Sequence, residues 1–435
     1  MESTIEQARP ASKQKLFYGW YIVGVGFLAN VASAFSLAST LSVFMKPLTA
    51  DLGVSRGVFS LLRSGEGLIA AFLAPVIGTL MDRYGGRWLM VFGAVIAGAG
   101  YIALGYVDSF WQFTAVRWSL VTVGDSFMGY IVINLAIAHW FSRKRGRALA
   151  LTSMGIGFAK VGMPVLAASL IVWLGWRQTW LVFGLLTLVL VVGPALLVVR
   201  RSPEDLGLKP DGASGDVPLG HAARAAKTAA MAQQAIRDDI EWSRGEALRT
   251  QAFWLLVVTF GISSIGVTGL NLHVFPYVSD LGHPPVVAAT VMSVIASMQL
   301  ASPIAWGILA ERIDPRFAAT LKFVLQGIGL ALAITTGNLF LLYAGFLLYG
   351  IGLGGNMVLP DIIWASYFGR RSLGKVRGLG LLISQALAAL GPPFFGFLFD
   401  LTGGYGLSFA LFGAALMTSA FLTLILRPPK KILIG

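Results

Sequence analysis

Gly78-Thr-Leu-Met-Asp82-Arg83-Tyr84-Gly85-Gly86-Arg87 is a short polar turn set between two long apolar runs, 56–80 and 88–106. Gly307-Ile-Leu-Ala-Glu311-Arg312 stands in the same setting between runs 286–310 and 317–335, at an offset of 229 residues. Outward from this pair the echo continues. Trp140-Phe141 before Arg143-Lys144-Arg145 is matched by Tyr367-Phe368 before Arg370-Arg371, an offset of 227. Pro164 is matched by Pro392 at 228, and Gly175-Trp176 with Phe183-Gly184 by Gly404-Tyr405 with Phe412-Gly413 at 229. Four landmarks at a near-constant offset describe a duplicated unit.

The solvent of that unit is lipid. Of the 435 residues, 56% are hydrophobic and only 12% charged, against about 25% charged in a soluble domain. Apolar runs of about 20 residues recur along the chain, and in lipid each backbone polar group needs an internal partner, so they are predicted helices. A barrel would alternate over about ten residues instead. The predicted spans lie at roughly 17–44, 56–80, 88–106, 111–139, 147–173, 177–199, 252–279, 286–310, 317–335, 339–366, 373–400 and 405–426. Six spans per copy is an even number, so both copies share one orientation. The predicted fold is an all-α membrane protein of twelve helices in two six-helix bundles related by a pseudo-two-fold axis. The expected organisation is 1–200 for the first bundle, 201–250 for a cytoplasmic linker with a helix over Ala222–Ile240, and 251–435 for the second bundle.

This composition excludes a soluble enzyme, a nucleic-acid binder and a disordered scaffold. The absence of cysteine removes thiolate chemistry, and four scattered histidines make no metal cluster, so no cofactor is expected. No Gly-x-x-x-x-Gly-Lys-Ser/Thr loop offers direct ATP drive. The polar start and long first apolar run are those of a retained helix, not a cleaved signal. With the N-terminus placed in the cytoplasm, cytoplasmic segments carry 27 Lys and Arg and outer segments three, Lys46, Arg56 and Arg177. That count includes Lys322, taken to lie just inside the ninth helix beside its basic loop. Such a bias predicts cytoplasmic termini, and it explains the net charge of +13 as topology, with no need of nucleic acid.

Charges inside spans mark function by default. Arg63 and Glu66 lie three apart on one face of the second span, with Glu66 near the midplane. The fourth span carries Arg117 and Asp125, and the fifth carries Lys160. Arg63–Glu66 reads as a self-compensating pair or as part of a transport site. Arg117 is open between architecture and proton coupling. Lys160 is either neutralised across helices by Asp125 or free to receive an anion. Glu66 and Asp125 are the candidate proton sites; Lys160 and then Arg117 are the candidate anion contacts. The second half is expected to be nearly charge-free at midplane and to supply neutral groups: Asn271, His273, Gln299, Tyr343, Tyr349, Asn356 and Gln385. An asymmetric site is predicted, with charge from one bundle and shape from the other.

Gly78, Asp82, Arg83, Gly85 and Arg87 fit the pattern Gly-x-x-x-Asp-Arg-x-Gly-x-Arg, with a partial second copy in Gly307, Glu311 and Arg312. The chain resembles the major facilitator superfamily over nearly its whole length. Phe17-Tyr18-Gly19-Trp20, Trp140-Phe141 with its basic run, and Pro203-Glu204-Asp205-Leu206-Gly207-Leu208-Lys209-Pro210-Asp211-Gly212 resemble the bacterial members of its monocarboxylate transporter and oxalate/formate antiporter branch. The resemblance implies alternating access in a bacterial cytoplasmic membrane. The cargo it implies is a small organic anion, a monocarboxylate first, moved with protons or exchanged for another anion, by a monomeric functional unit. It also implies that Asp82 helps to join the bundles on the cytoplasmic side in the outward-open state. The basic residues that the oxalate/formate exchangers carry in the eighth span and within the eleventh are absent here, as are the Asp and Arg that monocarboxylate carriers commonly place in the eighth. Gly162-Met163-Pro164 only approximates the drug–proton antiporter signature. A membrane sensor on a carrier fold, the reading from another class, would be expected to carry a large signalling domain.

Overall fold

The computed structural model describes residues 17–142, 144–209, 211, 242–335, 338–369 and 372–429, without the side chains of residues 82 and 373. These residues form helices α1 Gly19–Asp51, α2 Arg56–Met81, α3 Arg83–Leu104, α4 Phe110–Trp140, α5 Arg145–Leu174 and α6 Trp176–Val198 in the first half. The second half holds α7 Gln251–Asp280, α8 Pro285–Arg312, α9 Pro315–Thr335, α10 Leu339–Met357, which continues as Leu359–Phe368, α11 Gly374–Thr402 and α12 Gly406–Leu424. Eleven of them are long and apolar enough to cross a membrane alone. The eighth is a pair, Pro285–Ala301 and Pro303–Arg312, bent by 42° where Pro303 removes an amide donor. The expected twelve spans are therefore present. The linker helix expected over Ala222–Ile240 lies outside the described residues.

The duplication is visible in the backbone. Gly53 and Gly282, 229 residues apart, both turn with positive φ, 62° and 86°, after the repeated Asp51-Leu52-Gly53 and Asp280-Leu281-Gly282. Gly175 and Gly403, 228 apart, do the same at 82° and 70°. Each sits at a helix junction that an L side chain would strain.

Three helix breaks contain polar residues, whereas the π-helical stretch Leu188–Val192 in α6 is wholly apolar. α1 is interrupted by a 3-10 turn, Ala34–Ser36, followed by an extended Leu37. α4 holds a π-helical stretch, Arg117–Val121. α10 breaks at Gly355–Met357. Such discontinuities are tolerated within a bilayer where they line a cavity.

Even-numbered crossings gather the basic loops at one end of the molecule, called here the basic end. There the three branch-specific segments assemble into one unit. Phe17 meets Phe141 edge-on at 5.5 Å, Tyr18 meets Trp140 at 5.4 Å, and Trp20 meets Phe141 at 5.0 Å between centroids. The Tyr18 hydroxyl donates to the Val198 carbonyl and Trp140 Nε1 to that of Arg200. Asp211 accepts from the amides of Ser142 and Lys144, each at 3.1 Å. The start of α1, the α4–α5 loop and the segment after α6 are thus clamped together.

The two halves touch at the opposite, far end. Asp280 at the end of α7 pairs with Lys46 at 2.9 Å and Arg56 at 2.5 Å. The Asp400 carboxylate, at the end of α11, accepts from the amides of Arg56 and Gly57 at 3.1 and 2.8 Å. It caps the first turn of α2 from the other half, where a helix carries positive partial charge. Arg56 also donates to the Tyr405 hydroxyl, 3.1 Å, and stacks on Phe399. Tyr405 donates to His273 Nδ1, and His273 Nε2 donates to the Pro392 carbonyl beside Ser60. His273, expected among the cavity groups, is instead buried in this far-end closure. Deeper in, Ser64 donates to the Ala389 carbonyl and Ser293 to that of Val161. Among the described residues, no hydrogen bond or ion pair joins the halves nearer the basic end.

Candidate functional site

Two carboxylates and three bases meet in the first half. Glu66 accepts from Arg63 at 2.7 Å with one oxygen and from Arg117 Nε at 2.5 Å with the other. Arg117 is fully buried, with its guanidinium 5.5 Å from the Trp180 ring centre and one nitrogen 3.4 Å from the Ser36 carbonyl freed by the break in α1. The π-helical turn begins at Arg117 itself. Asp125 Oδ2 accepts from the Tyr101 hydroxyl at 3.0 Å. Glu66 thus holds two cations at once: it is more than the local partner of Arg63.

Two cavities touch this cluster and a third lies in the other half. The central one, about 170 Å³, lies between the halves and is walled by Arg63, Lys160, Asn271, Gln299 and Tyr349 together with the α1 break at Leu37–Ser39. A second, about 220 Å³, lies within the first half against Asn30, Ser36, Arg63, Glu66 and Asp125. The third, about 220 Å³, lies in the second half and holds Ser264, Asn356, Arg377 and Gln385. Thr268 lines both the central and the second-half cavity, so these two are neighbours across that side chain.

Lys160 makes no hydrogen bond or ion pair among the described residues. It lines the central cavity while Asp125 lines the first-half cavity, and no ion pair joins them. The geometry therefore favours the free ammonium over neutralisation by Asp125. Arg63, read from sequence as a pair partner, lines both cavities and still holds Glu66. Asn271 and Tyr349 join Lys160 as expected, and the buried Tyr349 hydroxyl has no hydrogen-bond partner. Asn356 and Gln385 line the second-half cavity instead. Arg117 and Tyr343 line none of the three: Arg117 is spent on Glu66, and the Tyr343 hydroxyl meets Thr290 at 2.5 Å. Among these groups, Arg63, Arg117 and Lys160 face Glu66 and Asp125, an excess of one base when all are ionised. Lys160 and Arg63 can offer charge-assisted hydrogen bonds to a group in the central cavity.

The family profile of the Major Facilitator Superfamily matches residues 26–331 and 274–433. The chain belongs to the major facilitator superfamily. This facilitator is 23% identical to the human protein "Monocarboxylate transporter 2" over 427 residues, covering 94% of this chain and 85% of that one. It is 26% identical to the "Oxalate:formate antiporter" of Oxalobacter formigenes over 325 residues, 74% and 70% of the two chains. The fold superimposes on an inward-facing bacterial homologue of the lysosomal transporter Spinster with a TM-score of 0.70 at 14% identity, covering 95% and 96% of the two chains. It is an integral membrane protein and a secondary transporter, similar to these two relatives.

The facilitator's signature loop is partly visible. Gly85, with φ 75°, turns α2 into α3, and a Cβ there would meet the Arg201 side chain at 3.3 Å. Arg83 lies over Tyr84 and Arg87 over Trp88, 5.2 and 5.4 Å from the ring centres. Gly78 has open space around it, while Gly307 faces Val358 at 3.9 Å. Glu311 and Arg312 are exposed at the basic end. The Asp82 side chain lies outside the described residues.

Proposed function

We propose that this facilitator moves a small organic anion, a monocarboxylate first, by alternating access, with its basic end in the cytoplasm and a single chain as the working unit. The observation that carries the reading is Lys160, an unpartnered cation on the cavity between the halves, with Arg63 beside it. In the proposed orientation the far-end closure makes this the inward-open arrangement. The relatives' printed cargoes, monocarboxylates and the oxalate–formate pair, are anions whose charge complements the basic lining of this cavity.

Proton coupling runs through the first-half cavity, where Asp125 and Glu66 share a wall with Arg63. Protonating Glu66 releases its hold on Arg63 and Arg117, and protonating Asp125 adds one positive charge to the cluster, so either step favours the anion. In proteoliposomes with the potential clamped, an inward pH gradient is expected to drive accumulation of a labelled monocarboxylate, and Asp125→Asn to abolish that drive. Uptake that ignores the gradient and requires anion inside would replace symport by exchange. The excess of bases favours that second reading, because a net positive site is costly to occlude empty.

Asp82→Asn is expected to cut turnover at least tenfold while leaving equilibrium anion binding and the melting temperature close to wild type. The position lies at the basic end, remote from Lys160, and the signature's inferred role is the balance between states. Parallel loss of binding would move Asp82 into the cargo site and defeat this assignment.

A further inference from the structure

Lys322 is fully buried. The sequence reading counted it with the basic loop before α9, but the structure turns its side chain into the second half. Its ammonium donates to Ser263 Oγ of α7 at 3.2 Å and lies 3.7 and 5.1 Å from the ring centres of Phe323 and Phe260. Ser263 Oγ is in turn within 3.0–3.1 Å of both side-chain polar atoms of Asn356, which sits at the break in α10. Gly355 makes room for the stem: a Cβ there would meet Lys322 Cγ at 2.9 Å. One turn along α9, Gln326 is buried with neither amide atom partnered.

Among the described residues, no counter-charge faces this side chain. α9, α12 and the first segment of α10 contain no acidic residue. Of the acids on the other packed elements, Asp280 is held by Arg56 and Lys46, Asp361 by Arg377, Asp314 by Arg316, and Glu311 is exposed at the basic end. A buried charge without a partner is strongly disfavoured. What separates Lys322 from the second-half cavity is the Ser263–Asn356 pair, and Asn356 lines that cavity. Arg377 lines it as well, but its charge is balanced by Asp361 at 2.5 Å. The basic side chain behind the wall that has no carboxylate partner among the described residues is Lys322.

We propose that the second-half cavity is a second anion-binding site for a small carboxylate, with Asn356 as its contact and Lys322 as the source of its charge. The inference rests on the anion-carrier reading above and extends it. Thr268 stands between this cavity and the central one, so an anion held at Asn356 would lie in the cavity next to that of Lys160 and Arg63.

The test is a binding stoichiometry on the purified full chain. The probe is whichever of formate, acetate, lactate, pyruvate and oxalate raises the melting temperature most, in labelled form, measured by equilibrium dialysis at saturation. Wild type is expected to bind two anions per chain. Lys322→Met is expected to bind one, with a ligand-free melting temperature no lower than wild type, since it removes an unpaired buried charge. Ser263→Asp sets a carboxylate against the ammonium and should also bind one, which keeps the proposal testable if Lys322→Met does not fold. A wild-type stoichiometry of one, or two anions bound by Ser263→Asp, overturns the second site while leaving the carrier reading in place. Binding of none of the five anions overturns the carrier reading itself, and the second site with it.

Discussion

Lys160→Met is expected to weaken anion binding at the central cavity at least tenfold, about 1.4 kcal/mol, without unfolding the protein. The methionine keeps the stem's length and apolar packing and loses only the ammonium, which no group among the described residues satisfies. A charge-assisted hydrogen bond is worth about 1.5–3 kcal/mol, so the loss of one such contact accounts for the whole effect. Lys160→Arg should restore part of it. The alternative is that Lys160 serves Asp125. Lys160→Met would then strand a buried carboxylate, and adding Asp125→Asn would recover both stability and binding. The structure separates the two residues into different cavities, so the double variant is expected to remain as weak as the single one. Titration of the three variants with a labelled monocarboxylate decides between them, and recovery in the double variant would end the receptor role.

The architecture was legible because it is written in composition and period. Apolar runs of span length mark helices, an even number of them per repeat orients the copies, and basic loops sort to one end. The site was legible only in part. Intramembrane charges announce themselves in an apolar background, which is how Lys160, Glu66 and Asp125 were singled out. Their partners do not: Arg117 meets Glu66 across 51 positions of chain, and no local pattern tells that it is consumed there while Arg63 keeps a face on the cavity. Lys322 was hidden by its address. Seven residues past Pro315, it falls where basic loop residues are usual, and only the glycines of α10 show the space into which its stem folds. His273 and Asp400 escaped for a related reason. Their meaning is an inter-half contact, and a single chain read in order has no register for where its two bundles touch. Asp51-Leu52-Gly53 and Asp280-Leu281-Gly282 did carry a readable signal, a further landmark at the same offset. Yet the two acids have diverged in use, Asp51 pairing with Arg177 inside its own half and Asp280 reaching across to the other.

That divergence makes the far end a latch, and the second large effect is expected there. Asp400→Asn combined with Asp280→Asn removes the carboxylate that caps α2 and the one that holds Arg56 and Lys46. Both contacts exist only while the far end is closed, so their loss destabilises that state selectively, whereas the folded bundles remain intact. With charge-assisted contacts at about 1.5–3 kcal/mol each, losing two shifts the balance by at least tenfold, and by more where the effects add. The chain has no cysteine, so spin labels can be placed without background. Tyr106 and Leu401, 71% and 82% exposed at the far ends of the two halves, are suitable sites. In the wild-type background a Tyr106→Cys, Leu401→Cys pair should report mainly the short, closed distance. With both aspartates replaced, the distribution should move to a longer distance, and transport should slow because the far end no longer recloses readily. Anion binding at Lys160 should persist, since neither aspartate lines the central cavity. An unchanged distance distribution would mean that packing of Phe399, Tyr405 and His273 closes the far end without the charges, and the latch would then be steric, not electrostatic.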